Sequence, residues 1–152
     1  MNDSAFLAIF PFLFVGMWLF VTSILSLFAG WAALREQFPN RDEAPLKRLR
    51  FQSGLIGKGK MWNPWGNVNY GNCLQLDICP SGLRVAIWRF FGPFSPPFFV
   101  PWARIAVEEK RFLLWRFYRL SFAPDLSALT IRRRAFAKIV AFGFLQEPVG
   151  RA

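Results

Sequence analysis

The stretch AFLAIFPFLFVGMWLFVTSILSLFAGWAAL, residues 5–34, contains no charged side chain, and all 19 Lys and Arg residues of the protein follow it. A helix that crosses about 30 Å of hydrocarbon needs ~20 apolar residues. A single span must be helical, because lipid offers the backbone no hydrogen-bond partners. The run therefore predicts an N-terminal segment and transmembrane helix over residues 1–34, with Trp31 at the far membrane interface.

A cleaved secretory signal is the main alternative for this run. Such signals carry a positive N-terminal region and an apolar core of about 7–15 residues. Here Asp3 is the only charged side chain before the run, and the run is about twice as long as such a core. Apolar side chains also cover all faces of the predicted helix, which is not typical of a helix that packs in a soluble core. Both observations favour a retained membrane anchor.

The orientation follows from the charges that flank the span. Before it stand only Asp3 and the amino terminus, whereas residues 35–60 contain Arg35, Arg41, Lys47, Arg48, Arg50, Lys58 and Lys60. Lys and Arg concentrate in cytoplasmic loops. We therefore expect a single-pass membrane protein with its N-terminus outside and its C-terminal part in the cytoplasm, where Cys73 and Cys79 would stay reduced.

The part of the chain after residue 34 is strongly basic. It contains 19 basic and 8 acidic residues once Asp3 is excluded, so its formal charge is +11. Such a charge favours an anionic neighbour. For a tethered domain the nearest anion is the lipid surface, where each Lys or Arg contributes about 1 kcal/mol. No nucleic-acid-binding motif is present, so nucleic acid is an unfavoured partner, and a merely solvated basic surface is the simplest alternative.

The chain contains no histidine, which removes the commonest general base and the commonest metal ligand. A Ser-His-Asp or Cys-His nucleophile is excluded, and two cysteines alone do not make a zinc site. Glu108 and Glu109 are adjacent, so on a strand they point to opposite faces and do not form an acid–base pair. We expect a protein that is not an enzyme and that uses no metal, cofactor or small-molecule substrate.

The rest of the chain predicts a connector followed by a β-rich domain. Two prolines and mixed charges indicate a juxtamembrane connector over residues 35–51, and residues 52–152 form the domain. Residues 52–72 are rich in Gly and Asn and predict irregular structure with one short strand. The clearest hairpin has a strand over residues 73–79, a Pro-Ser-Gly turn, and a strand over residues 83–91.

About five strands in a meander are predicted in total, which favours an antiparallel sheet. Residues 98–105 are extended, residues 108–110 form a polar turn, residues 111–122 form an aromatic, basic strand, and residues 126–131 form a short strand. Cys73 and Cys79 lie six residues apart on one strand, about 20 Å, which is beyond disulfide reach.

The tail changes to helical spacing. Phe136, Ile139, Val140 and Phe144 recur along one face with Lys138 opposite, so residues 135–145 predict an amphipathic helix that caps the sheet. Arg132, Arg133 and Arg134 precede it. Three cations at a helix start oppose the helix dipole, so local stability does not explain them. They end a strand in solvent or face something anionic. The fold class is α+β.

Two segments carry a resemblance to a known family. These are LDICPSGL, residues 76–83, and PPFFVPWARI, residues 96–105. They resemble small bacterial membrane proteins and are similar to bacterial pleckstrin-homology-like and GRAM-like domains, in which a Gly-Leu strand precedes an Ile-Pro-Trp-x-x-Ile strand. The resemblance implies a seven-stranded β-sandwich or roll closed by one helix, contacts with lipid or protein rather than catalysis, and location in a bacterial inner membrane.

We therefore expect a membrane-tethered binding module that contacts anionic lipid or an acidic protein at the cytoplasmic face. The predicted contact residues are the cations beside the membrane and those around the tail helix: Lys47, Arg48, Arg50, Arg132, Arg133, Arg134 and Lys138. The alternative is an accessory or structural subunit of a larger integral membrane complex, because the many aromatic residues exceed what a small domain readily buries.

Overall fold

The charge-free run forms two helices in the computed structural model, which describes residues 2–59, 66–146 and 148. Helix α1 spans Asp3–Phe28 and helix α2 spans Trp31–Gln37. Gly30 separates them because its backbone is left-handed, with a φ of 68°, a conformation that glycine adopts without steric cost. The first helix therefore ends at Phe28 and not at residue 34.

Helix α1 is long and apolar enough to cross a membrane. It has a mean hydropathy of 2.2 over its best window, and only 6% of that window is buried inside the protein. Its 26 residues extend about 39 Å at 1.5 Å per residue. The predicted N-terminal helix of spanning length is confirmed, and most of its large apolar side chains are exposed in the single chain.

Helix α2 turns into the domain and becomes part of its core. Trp31 is 1% exposed and Leu34 is fully buried. The Trp31 indole Nε1 donates a hydrogen bond of 2.5 Å to the Pro96 carbonyl oxygen. The prediction that Trp31 lies at a membrane interface is therefore wrong. Its side chain lies inside the protein because the break at Gly30 redirects the chain.

Seven antiparallel strands form one curled sheet, in the order β4-β3-β2-β1-β7-β6-β5. The strands are β1 (Lys47–Gly57), β2 (Asn67–Ile78), β3 (Gly82–Ile87), β4 (Phe98–Pro101), β5 (Ala106–Phe112), β6 (Trp115–Ser121) and β7 (Ala128–Arg132). A short 3₁₀ turn, Trp102–Arg104, follows β4. The predicted antiparallel arrangement is confirmed, with two more strands than expected.

The long β1–β2 ribbon bends in its middle and thereby curls the sheet. The register between the two strands shifts around Gln52, and Phe51 and Asn72 have left-handed backbones, as is typical of β-bulges. Strands β3 and β4 continue the sheet from the second half of β2, whereas β7, β6 and β5 continue it from the second half of β1. Leu74, Leu76 and Ile78 face the core, as their alternation predicts.

Four parts of the strand prediction need correction. The strand predicted over residues 83–91 ends at Ile87, and residues 89–91 form a turn. Residues 108–110 are not a turn, because they lie within β5 and pair with β6. Residues 111–122 are not one strand, because the chain reverses at Leu113, whose φ is 51°. Residues 52–72 are more regular than expected, since β1 extends to Gly57 and β2 begins at Asn67. Residues 60–65 of that segment lie outside the described residues.

Helix α3, Arg133–Val140, packs on β6 and β7. Phe136 is buried and stacks on Tyr118, with ring centroids 4.0 Å apart. The helix ends at Val140 and not at residue 145, yet Phe144 still packs inward, with its ring 5.1 Å from that of Trp102 and nearly parallel to it. The α+β class with a C-terminal helix is confirmed.

Candidate functional site

A cavity of about 420 Å³ lies where the end of β7, the start of α3 and the β5–β6 hairpin meet. Four arginines and three apolar side chains line it: Arg116, Arg132, Arg133, Arg134, Leu114, Trp115 and Phe117. No carboxylate is among these lining residues. The cavity is therefore suited to an anion that also carries, or is attached to, an apolar group.

Strand register and helix packing bring these residues together. Arg132 is the last residue of β7 and pairs with Phe117 of β6, which places the hairpin alongside. Helix α3 must turn Phe136 and Ile139 inward, where both are fully buried. Arg133 and Arg134, in its first turn, then remain exposed at the mouth of the cavity. The core contacts of the helix thus fix the position of the cations.

The start of α3 is electropositive without compensation in the described part of the protein. Its N-cap residue, Arg132, makes no side-chain capping hydrogen bond, and its first turn contains no acidic residue. Within that same part, Arg132, Arg133 and Arg134 form no ion pair. The free N–H groups of a helix start and its dipole favour an anion at this place, so a bound anion would relieve the mutual repulsion of the arginines.

The β5–β6 hairpin supplies an apolar rim. Its tip, residues 112–115, carries Leu114 with 97% of its surface exposed and Trp115 with 65% exposed. Arg116 follows directly and lies 3.7 Å from Glu109, which also accepts a 3.0 Å contact from Arg111. An exposed Leu-Leu-Trp tip beside arginines is typical of a surface that meets lipid headgroups and acyl chains together.

The remaining predicted contact residues lie elsewhere. Lys138 is exposed on α3 but does not line the cavity. Lys47, Arg48 and Arg50 begin β1, and Arg50 lines a different cavity of about 280 Å³ beside Trp88. The structure thus brings Arg132, Arg133 and Arg134 together and keeps the β1 cations apart from them. Arg116 is a member of the site that the sequence argument does not include.

Arg48 is engaged in a second ionic cluster, which is centred on Asp77. This carboxylate is 1% exposed and lies 3.0 Å from Arg48 Nε and 3.3 Å from Arg84 Nη1. Arg84 also donates hydrogen bonds to Asn40 Oδ1 at 3.0 Å and to the Glu43 carbonyl at 2.8 Å. The cluster holds the connector against the sheet, and the Asp77 carboxylate also accepts hydrogen bonds from Gln75 Nε2.

Glu43 makes a further connection between the connector and the β2–β3 turn. Its carboxylate accepts hydrogen bonds from the Ser81 hydroxyl and, at 3.1 Å, from the Ser81 backbone N–H. The hydroxyl hydrogen bond is the largest influence on this group and lowers the pKa of Glu43. Charge therefore stabilises the connector at two points, and neither point offers a free reactive group.

The thiols and carboxylates of the described residues do not assemble into a metal site. Among residues 2–59, 66–146 and 148, no three Cys, Asp or Glu side chains converge on one position. Cys73 and Cys79 are free thiols, and burial raises the pKa of both. The arginine-lined cavity is accordingly the candidate site with the clearest chemistry.

Comparison with protein-family models, with curated proteins and with solved structures finds no match to this chain.

Proposed function

We propose that this protein is a non-enzymatic, single-pass membrane protein whose cytoplasmic domain binds the phosphate of an anionic lipid through Arg116, Arg132, Arg133 and Arg134. The observation that supports this most is the convergence of four arginines and an apolar hairpin tip on one cavity. Arginine's planar fork suits bidentate contact with phosphate oxygens, and the uncapped start of α3 adds backbone donors.

Lipid is the anion that this arrangement favours over a soluble phosphate. The exposed Leu113, Leu114 and Trp115 would find no apolar partner around a small ion in water, whereas the interfacial region of a bilayer accepts Leu and Trp side chains next to phosphate groups. The anchor holds the domain within a few nanometres of a lipid surface, so a weak contact is sufficient for binding. The positive-inside distribution of charge supports the cytoplasmic leaflet.

The pleckstrin-homology-like fold remains part of this proposal. Seven antiparallel strands in a curled sheet, closed by a C-terminal helix, agree with what the resemblance of residues 76–83 and 96–105 implies. That resemblance also implies a bacterial inner membrane as the location. Fold analogy does not fix a function, so the lipid assignment rests on the arginine cavity.

The test measures lipid binding to the full chain in neutral detergent by native mass spectrometry, with phosphatidylglycerol as the probe. The site variant replaces Arg132, Arg133 and Arg134 with Gln. A charge-matched control replaces Arg35, Lys58 and Arg104 with Gln, which are cations outside the cavity. Because each cation contributes about 1 kcal/mol and 1.4 kcal/mol is tenfold in affinity, we expect roughly a hundredfold loss for the site variant. An equal loss in both variants would overturn the proposal.

A second candidate, an accessory subunit of a larger integral membrane complex, is favoured by exposed aromatic side chains outside α1. Trp88, Phe90, Phe91 and Phe94 are all exposed in the single chain. Extraction from native membranes in a mild detergent, followed by native sizing, tests this candidate. A larger stable assembly would support it, and a clean monomer would contradict it.

A further inference from the structure

The loop between β3 and β4 folds back onto α1. We call residues 88–94 the aromatic loop, since they contain Trp88, Phe90, Phe91 and Phe94. The ring of Phe90 lies 5.6 Å from that of Trp18 of α1. Eight residues further along α1, Ser26 Oγ donates a hydrogen bond of 3.2 Å to the Phe94 carbonyl oxygen. The loop therefore runs beside the C-terminal half of the helix.

The contact with Trp18 places this loop below the membrane surface if α1 is a span. Asp3 limits how far α1 can shift along the membrane normal towards the cytoplasm, because a carboxylate in hydrocarbon costs about 3 kcal/mol. Twenty residues counted from Ala5 fill a hydrocarbon core of ~30 Å and end at Ile24. Trp18 then lies roughly 9 Å inside the hydrocarbon boundary, and Phe90 lies beside it.

The side chains of the loop suit that depth. Phe90 is 67% exposed, and Trp88, Phe91 and Phe94 are also exposed, although they are aromatic. Rings pack on one another around Trp88, whose centroid is 5.6 Å from that of Phe91 and 6.1 Å from that of Phe51. An apolar patch of this kind, continuous with α1, needs an apolar neighbour, and the lipid around α1 is such a neighbour.

Part of the backbone of the loop is hydrogen-bonded within the loop itself. Pro93 has no N–H group, and the N–H groups of Phe91 and Gly92 donate to the Trp88 carbonyl at 2.8 and 3.2 Å. The Ser95 N–H donates to the Gly92 carbonyl at 3.1 Å. These hydrogen bonds reduce the number of unpaired polar groups that the loop would bring into an apolar medium, where each such group is costly.

The hydroxyl groups on the adjoining part of α1 also donate hydrogen bonds to carbonyl groups of the protein. Thr22 Oγ1 donates to the Trp18 carbonyl at 3.0 Å, and Ser23 Oγ donates to the Leu19 carbonyl at 2.8 Å. Together with Ser26, which donates to the loop, they leave this face of α1 without a hydroxyl that needs water. The helix and the loop therefore form a contact that is compatible with hydrocarbon.

We propose that the aromatic loop is a second membrane-embedded element, which enters the cytoplasmic leaflet beside α1 without crossing it. The inference rests on the span of α1 in the proposed function but not on the arginine cavity. The acyl chains of the lipid cover Phe90 and Phe91, whereas Phe94, beside Ser26, lies at the hydrocarbon boundary. Arg89, within the loop, extends its long side chain to the headgroup phosphates. The domain is then held by two elements, which restrict its rotation about the helix axis.

The test uses nitroxide spin labels on the full chain in vesicles of phosphatidylcholine and phosphatidylglycerol. Single cysteines replace Phe90, Phe91 or Phe94 in a background with Cys73→Ser and Cys79→Ser. Reference labels are placed at Met17 on α1 and at Asp125, an exposed residue of the β6–β7 turn. Collision rates with oxygen, which concentrates in lipid, and with a water-soluble nickel chelate report the depth of each label.

We expect the oxygen-to-nickel ratios of the Phe90 and Phe91 labels to approach that of the Met17 label, and the ratios of all three loop labels to exceed that of the Asp125 label several-fold. Because three loop positions are labelled separately, the test remains informative if one variant fails to fold. If the loop labels resemble Asp125 while a label at Phe10 is embedded, this inference is overturned and the span stands. If the Phe10 label is in water, the span itself fails. Low collision rates with both reagents would indicate a protein contact and would also overturn the inference.

Discussion

Trp31 of α2 packs edge-on against Phe98 of β4, with ring centroids 5.1 Å apart and ring planes at 75°. This contact joins the segment directly after α1 to an edge strand of the sheet. Tyr70 of β2 meets the same indole at 6.1 Å. Helix α2 therefore belongs to the core of the domain, and a fragment that begins after Leu34 would lack part of that core.

Replacing Trp31 with Ala should destabilise the domain strongly. Truncation of a buried Trp costs about 3–5 kcal/mol. Denaturant unfolding of the full chain in detergent measures the loss, with Trp115→Ala at the exposed hairpin tip as the matched control, for which we expect a change of less than ~0.5 kcal/mol. Equal effects of the two variants would contradict the buried position of Trp31.

Replacing Gly30 with Ala should also destabilise the protein. The left-handed backbone costs a residue with a Cβ about 1–2 kcal/mol, and the new methyl group would lie 2.6 Å from Ser127 Oγ. Gly16 is the control, since a Cβ there meets nothing within 4 Å. In that helical position Gly16→Ala should be neutral or stabilising by up to ~1 kcal/mol. Thermal unfolding distinguishes the two, and the opposite order would argue against a break at Gly30.

Replacing Arg84 with Met should release the connector from the sheet. It leaves Asp77 buried with one cation fewer, and breaking a buried ion pair costs about 3–5 kcal/mol. Lys110→Gln is the comparison, because the Lys110–Glu108 pair is largely exposed and such pairs are worth about 1 kcal/mol or less. Limited proteolysis of residues 38–46 should accelerate only in the Arg84 variant. Protection equal to that of the wild type would refute this role.

Replacing Tyr70 with Phe should be neutral or stabilising by about 1 kcal/mol. The Tyr70 hydroxyl is buried and has no hydrogen-bond partner among the described residues. Burial raises the pKa of Tyr70 to about 12 from an ordinary value of 10.0. The folded state thus favours the neutral phenol, a stabilisation that is complete below pH ~10 and is lost as the pH rises through ~12.

Stability measured by denaturant between pH 9 and pH 12 should therefore fall in the wild-type protein and fall less in Tyr70→Phe. Absorbance of the phenolate follows the same titration. Parallel pH profiles of the two proteins would show that Tyr70 ionises as freely when folded as when unfolded, contrary to this expectation.

The hairpin of β2 and β3 was predictable from the sequence, because Leu74, Leu76 and Ile78 alternate and Gly82 follows a Pro-Ser turn. The β5–β6 hairpin was not, because its turn consists of Leu113 and Leu114, without Gly, Pro or Asn to mark it. That hidden turn is also why Arg116 was missed, since only the reversal at Leu113 brings β6 beside the end of β7.

The end of α1 at Phe28 could not be predicted from the sequence, for a different reason. Residues 29–34 carry no charged side chain, like residues 5–28 before them, and an uncharged run does not reveal whether lipid or a protein core covers it. Only the packing of Trp31 and Leu34 inside the sheet distinguishes the two environments. The cations at residues 132–134 were recognised because they contradict the dipole of the helix that they begin, which is a signal that sequence carries directly.

The most direct test of the central claim is the ratio of the affinities of the full chain for phosphatidylglycerol and phosphatidylcholine, measured by competition in one sample. We predict a ratio well above one for the wild-type protein and for the variant of Arg35, Lys58 and Arg104. The ratio should approach one for the variant of Arg132, Arg133 and Arg134. The same ratio in all three proteins would contradict lipid recognition by the arginine cavity.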